Sequence, residues 1–189
     1  MTTSPAEVLD ELLATRWSCR AFRPDPVPRE VLEEVLRTAG RAPSWCNTQP
    51  WHVHVLDAAA TDRLRAALAE HLALGFTAEP DLPFPASYEG VYAERRRTSA
   101  FALYDSVGIT RGDRVASGLQ TLKNFELFGA PHLMVVTTDA SLGTYGAVDC
   151  GLFLQALLLA LHSHGVASIA QAALATQAPF LRIFDHASS

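Results

Sequence analysis

The sequence predicts an α+β fold, a central mixed or antiparallel sheet flanked by helices. Three observations predict it. Segments with apolar residues at helical spacing outnumber strand-like segments about two to one. The strand-like segments are separated by helices of varied length. One long segment, Leu152 to Leu161, is apolar almost all round and calls for burial on every side, in a core or against another subunit.

The elements follow in order. Ser4-Pro5-Ala6-Glu7 reads as a helix start, with Ser4 as cap, proline at the first helical position and Glu7 closing a capping box. Val8, Leu9, Leu12 and Leu13 form its apolar stripe, and an extended stretch, Arg16 to Pro24, follows from about Thr15. A second helix opens at Pro28, turns Val31, Leu32, Val35, Leu36 and Ala39 inward, carries Glu30, Glu33 and Glu34 near its start, and ends at Gly40. Trp51 to Leu56 reads as a strand, with Trp51, Val53 and Val55 alternating against His52, His54 and Leu56. Helices are expected over Thr61–Leu74, Tyr88–Leu103, Arg114–Phe128 and Tyr145–His162. His132–Thr138 and Val166–Gln171 read as strands, and Thr176 as the cap of a last short helix. Between Phe76 and Ser87, Pro80, Pro83 and Pro85 predict an irregular excursion of the kind that often serves as a lid.

Composition excludes several functions. The chain has 189 residues, 49% hydrophobic and 19% charged, which suits one globular domain and not a disordered chain. A net charge of -5 gives no footprint for nucleic acid. Three cysteines, Cys19, Cys46 and Cys150, include no CxxC pair, so neither a disulfide framework nor a zinc site is expected, and a reducing, cytoplasmic compartment is. Met1 to Glu11 lacks the pattern of a signal peptide. Leu152–Leu161 covers only half of the ~20 residues that a membrane span needs. There is no G-x-G-x-x-G, no P-loop and no G-x-S-x-G elbow. His162 and His164 point about 200° apart on a helix, which suits a terminal histidine at the negative helix end better than a metal site.

Two motifs can carry chemistry. In Arg16-Trp17-Ser18-Cys19-Arg20, extended backbone sends Arg16, Ser18 and Arg20 to one face. Two guanidiniums and a hydroxyl there make a receptor for a phosphate monoester, or simply a solvated surface loop. The second is Ala42-Pro43-Ser44-Trp45-Cys46-Asn47-Thr48-Gln49-Pro50-Trp51, between a helix end and a strand. Asn47 and Gln49 offer paired donors and acceptors that match a flavin's pyrimidine edge, or else belong to an ordinary polar turn. Pro50 predicts an extended Gln49.

Taken together, R-x-S-x-R-x-F, a helix, then P-S-x-x-N-x-Q-P-W and a strand resemble the nitroreductase superfamily of FMN enzymes. Phe125–Pro131, Asp149–Gln155 and Gly165–Ala173 are similar to it as well, so the likeness runs along nearly the whole chain. It implies one nitroreductase-like domain over residues 1–189, with the long helix at the interface of a homodimer. It implies FMN bound by Arg16, Trp17, Ser18 and Arg20 of one subunit and by Pro43, Ser44, Trp45, Asn47 and Gln49 of the other. Gln171 and Ala172 fall where the family's backbone nears flavin N5, and Asp149 near a position that contacts flavin or ligand in some members. The implied activity is ping-pong hydride transfer from NAD(P)H, a transient co-substrate, through flavin N5 to a nitroaromatic or quinone-like acceptor. No side chain is expected to act as catalytic acid or base, and no metal is implied. Other members' chemistry, reductive dehalogenation or enone reduction, and a non-catalytic flavin-binding protein are the alternatives.

The chain departs from the family in three places. Trp45 stands where a small residue is common, and Ala170 where proline is. Relatives continue past the helix around Phe180–Phe184 into another strand and an arm, whereas this chain stops at Ser189; either the product is a domain truncated there, or the sequence lacks its true end. The aromatic Phe76, Phe84, Tyr88 and Tyr92 could wall a substrate site or pack on the surface. Arg95-Arg96-Arg97 reads as a solvated helix face or as a receptor for an anionic substrate or the NAD(P)H phosphates.

Overall fold

The computed structural model describes residues 4–75 and 77–188. Phe76, one of the aromatics expected in the proline-rich excursion, lies outside the described residues, as do the first three positions of the N-terminal stretch read above. The described residues form two compact units, the first from segments 1–64 and 128–170, the second from 65–127 and 171–189.

The first unit begins with helix α1, Pro5–Thr15, whose capping box forms as its sequence demands. The Ser4 hydroxyl accepts from the Glu7 N–H at 3.2 Å, and the Glu7 carboxylate accepts from the Ser4 N–H at 2.7 Å. These bonds hold the Glu7 carboxyl below its ordinary pKa. Helix α2, Arg29–Ala39, buries Leu32, Val35 and Ala39. Helix α6, Gly143–Ser163, packs along it, and Phe153, Leu157, Ala160 and Leu161 of α6 close the core with Val35 and Ala39. The Trp51 ring lies 5.1 Å from that of Phe153, stacked on it.

Strands β1, His52–Leu56, and β2, Leu133–Thr137, pair antiparallel, with Val53 opposite Val136 and Val55 opposite Met134. They cover one side of the core through Val53, Met134 and Val136. The alternation expected in β1 fails at its end, where Val55 is exposed and Leu56 half-buried. The third expected strand, Val166–Gln171, is also corrected: only Ser168 pairs, in a single parallel bridge to Ser18. Alanine and serine dominate this stretch, so few β-branched side chains favour a longer ladder.

The long helix exceeds its sequence estimate. With the turn before it, 140–163 spans 24 residues and is apolar and long enough to cross a membrane by length and composition. Yet it packs on α2 and β2, so its buried face serves a protein core. Its other face is open: Tyr145, Val148 and Leu152 are exposed, and so are Val8, Leu9 and Leu13 on α1.

Helix α3, Ala58–Ala73, starts before its predicted bound because the Asp57 carboxylate accepts from the Ala60 N–H at 2.8 Å. The second unit adds α4, Gly90–Ser106, α5, Arg114–Leu122, and α7, Ala178–Ser188. Helix α5 stops six residues short of expectation. A helix could not have reached Phe128 in any case, because Leu127 and Phe128 adopt left-handed backbone, with φ of 55° and 51°. Thr176 does not cap α7; its hydroxyl donates back to the Ala173 carbonyl at 2.7 Å. The excursion is irregular from 77 to 89, as expected, but anchored. Arg182 grips both carboxylate oxygens of Asp81 at 2.8–2.9 Å, and the Glu79 N–H donates to the Thr176 carbonyl.

Candidate functional site

The chain leaves α1 extended at Arg16, with φ -64° and ψ 131°, but the stretch expected to stay extended to Pro24 bends at Arg20, Ala21 and Pro24. Ser18 bridges Ser168, and the Cys19 N–H donates to the Ser168 carbonyl at 3.1 Å. Cys19 is buried, while Ser18 and Arg20 are exposed and Arg16 half-buried. Trp17 breaks the simple alternation: it is 58% exposed although it is an odd-numbered neighbour of buried Cys19. Among the described residues neither Arg16 nor Arg20 pairs with a carboxylate; Arg20 reaches only the Ser18 carbonyl, at 3.4 Å. Two guanidiniums without an anion beside a free-standing hydroxyl are the donor set that a phosphate monoester needs.

The second motif folds into a tight turn. Residues Trp45–Asn47 form a single 3-10 turn in which the Asn47 N–H donates to the Ser44 carbonyl and the Thr48 N–H to the Trp45 carbonyl, both at 3.1 Å. The Ser44 hydroxyl closes it by accepting from the Gln49 N–H at 2.9 Å. The Gln49 amide donates to Asn47 Oδ1 at 3.1 Å, so the two amides expected to read a flavin edge lie side by side. Gln49 is not extended. Its φ is +46°, and Cys46 and Asn47 are also left-handed, at +50° and +55°. Three such residues without glycine cost of order 1–2 kcal/mol each, and strain of this kind persists only where the surroundings over-determine it.

The surroundings are on α6. Asp149 is only 3% exposed, and both its carboxylate oxygens lie 3.1 Å from the Trp45 N–H. One helical turn earlier, Tyr145 lies against the Trp45 ring at 5.3 Å between centroids. Both rings stay open, Trp45 61% and Tyr145 59% exposed. Pro43 is exposed and Ser44 half-buried.

In the second unit, the Gln171 side chain is engaged: its amide donates to the Asn124 carbonyl at 3.3 Å and to Asn124 Oδ1 at 3.2 Å. Ala172 is exposed at the start of the Ala173–Gln177 turn. On α4, Arg95, Arg96 and Arg97 are exposed, and the Arg96 guanidinium sits 5.3 Å over the Tyr88 ring. Among the described residues no cluster of three metal-ligating side chains occurs.

The family model for nitroreductases matches residues 13–187. The chain belongs to the nitroreductase family. It is 38% identical over 187 residues to the nitroreductase NfnB of Mycolicibacterium smegmatis, covering 96% of this chain and 77% of that one. A 4-nitrobenzoate reductase of Pseudomonas putida is 33% identical, over 94% of this chain and 78% of its own. The crystal structure of the FMN-dependent NfnB of Mycobacterium smegmatis in complex with NADPH superposes with a TM-score of 0.90 at 36% identity, covering 97% of this chain and 82% of that chain.

Sequence reasoning missed the supports of the site. Ser168 holds the Ser18–Cys19 segment, Tyr145 receives the Trp45 ring, and Asn124 takes the Gln171 amide. Each partner is tens of residues away in the chain, so no local pattern announces it.

Proposed function

We propose that this chain is an FMN-dependent NAD(P)H oxidoreductase that reduces nitroaromatic or quinone-like acceptors and works as a cytoplasmic homodimer. The observation that carries the reading is the pair of carboxylate-free arginines, Arg16 and Arg20, flanking an exposed Ser18. FMN, when bound, supplies a centre at N5 that accepts a hydride and passes on two electrons.

The protein's residues bind and orient. Arg16, Ser18 and Arg20 take the phosphate and ribityl chain by charge-assisted hydrogen bonds, with Trp17 beside them. Pro43, Ser44, Trp45, Asn47 and Gln49 of the other subunit meet the ring, the paired amides of Asn47 and Gln49 at its pyrimidine edge. The Gln171 side-chain nitrogen donates to Asn124, which leaves its Oε1 and the main chain of Gln171 and Ala172 for the ring. Such donors favour negative charge on the reduced cofactor. Without a dinucleotide-binding motif, NAD(P)H visits the flavin face and leaves before the acceptor enters.

The open face of α6 supports the dimer. Tyr145, Val148 and Leu152 are spaced i, i+3, i+7 and therefore share one exposed face of an otherwise packed helix. A second copy is the simplest cover for it, and it supplies the second half of each flavin site.

Steady-state kinetics test the reading. With NADPH and a nitroarene varied together, double-reciprocal plots give parallel lines if the two share one slot in turn. Intersecting lines, or no turnover with FMN present, overturn it.

A further inference from the structure

The geometry points to Asp149 as a positioning residue that locks the 44–49 turn in its binding conformation by holding the Trp45 N–H, instead of touching the flavin itself. The inference rests on the reading of that turn as a flavin-binding element.

Four features of the first unit carry it. The Asp149 carboxylate is 3% exposed, and both its oxygens converge on one backbone N–H, at 3.1 Å each. A charged carboxylate is seldom so buried unless its hydrogen bonds are fixed, because burial of an unpaired charge is strongly unfavourable. The bond is placed at the start of the strained stretch, immediately before left-handed Cys46 and Asn47. Ser44 Oγ fastens the far end by accepting from Gln49 N–H, at 2.9 Å. Tyr145 stands four residues before Asp149, on the same face of α6. One helix therefore holds Trp45 twice, its N–H through Asp149 and its ring through Tyr145. Released from Asp149, Cys46 and Asn47 can relax toward ordinary backbone, and the Asn47 and Gln49 amides lose their shared orientation.

A role through the ring-edge turn and a role at the phosphate predict different things, and exchange of the Trp45 N–H reports the lock itself. The turn serves the ring edge, so its loss weakens flavin with or without a phosphate equally. Asp149→Leu keeps the volume and removes the acceptor; Asp149→Asn keeps an acceptor oxygen. Titration of FMN and riboflavin into apoprotein is expected to show both weakened at least about ten-fold in Asp149→Leu, with their affinity ratio unchanged. Asp149→Asn is expected to stay within about three-fold of the parent. The inference is overturned if Asp149→Leu binds both flavins like the parent, or if Asp149→Asn loses as much as Asp149→Leu. If the leucine variant does not fold, amide hydrogen exchange on the unaltered apoprotein decides: a slowly exchanging Trp45 N–H supports the lock, and free exchange refutes it. Parent protein that binds neither flavin refutes the underlying reading of the turn, a separate outcome.

Discussion

Nε2 of His162, in the last turn of α6, lies 2.8 Å from the hydroxyl of Thr15, the last residue of α1. That hydroxyl already donates to the Glu11 carbonyl at 2.6 Å, so it accepts from the imidazole N–H. The bond ties the end of one helix to the end of the other at the residue that immediately precedes Arg16. It fixes where the arginine segment leaves α1.

Thr15→Val therefore loosens the phosphate receptor without touching it. One neutral hydrogen bond contributes about 1 kcal/mol, so FMN affinity is expected to fall about five-fold. Thr15→Ser keeps the hydroxyl and restores the parent value. Equilibrium titration of FMN checks both, and equal affinity in all three proteins contradicts the role given to this contact.

The open face of α6 gives a second expectation. Leu152→Asp places a charge where two copies are proposed to meet, and a desolvated, unpaired carboxylate there is strongly unfavourable. Sedimentation at micromolar concentration is expected to show a dimer for the parent and a monomer for the variant. The monomer is expected to lose FMN as well, because each site draws on both subunits. A variant that still sediments as a dimer removes α6 from the interface.

The three cysteines respond differently to alkylation. Cys46 is exposed in the proposed flavin turn, Cys19 is buried, and Cys150 is half-buried. Burial pushes the Cys150 thiol above its ordinary pKa, the nearby Thr138 side chain offsets part of the rise, and the Asp149 charge adds to it. A raised pKa means less thiolate at any given pH, so Cys150 alkylation in the native protein stays slow at neutral pH and accelerates only in alkaline solution. Peptide mass mapping of iodoacetamide-treated protein is expected to find Cys46 labelled first, and FMN to protect it. Labelling of Cys46 that ignores saturating FMN contradicts its place at the flavin.

Much of this architecture was legible along the chain where the determinant is local. The capping box of Ser4 and Glu7, the proline before α2 and the periodicity of Val31–Ala39 all lead to helices with nearly the predicted bounds. The two binding motifs were legible as residue types in a spacing, and R-x-S-x-R is extended at Arg16 and Ser18 but bends at Arg20. What was not legible is set by distant partners. Nothing near Gln49 foretells a left-handed backbone, because it follows from the Ser44 hydroxyl and the Asp149 carboxylate fixing the turn from both ends. Val166–Gln171 looked like a strand, yet pairs only at Ser168, since a ladder depends on a neighbour that local composition does not reveal. The open side of α6 reads in sequence the same as its packed side, for both are apolar.

The central claim is that Arg16 and Arg20 grip the phosphate of a flavin mononucleotide, and comparison of FMN with riboflavin tests it most directly. Calorimetric titration of the parent is expected to show FMN bound far more tightly. A charge-assisted hydrogen bond contributes about 1.5–3 kcal/mol, so Arg16→Ala and Arg20→Ala should each weaken FMN about ten- to a hundred-fold and leave riboflavin nearly unchanged. FMN and riboflavin bound alike by the parent, or FMN affinity untouched in both variants, would contradict the account.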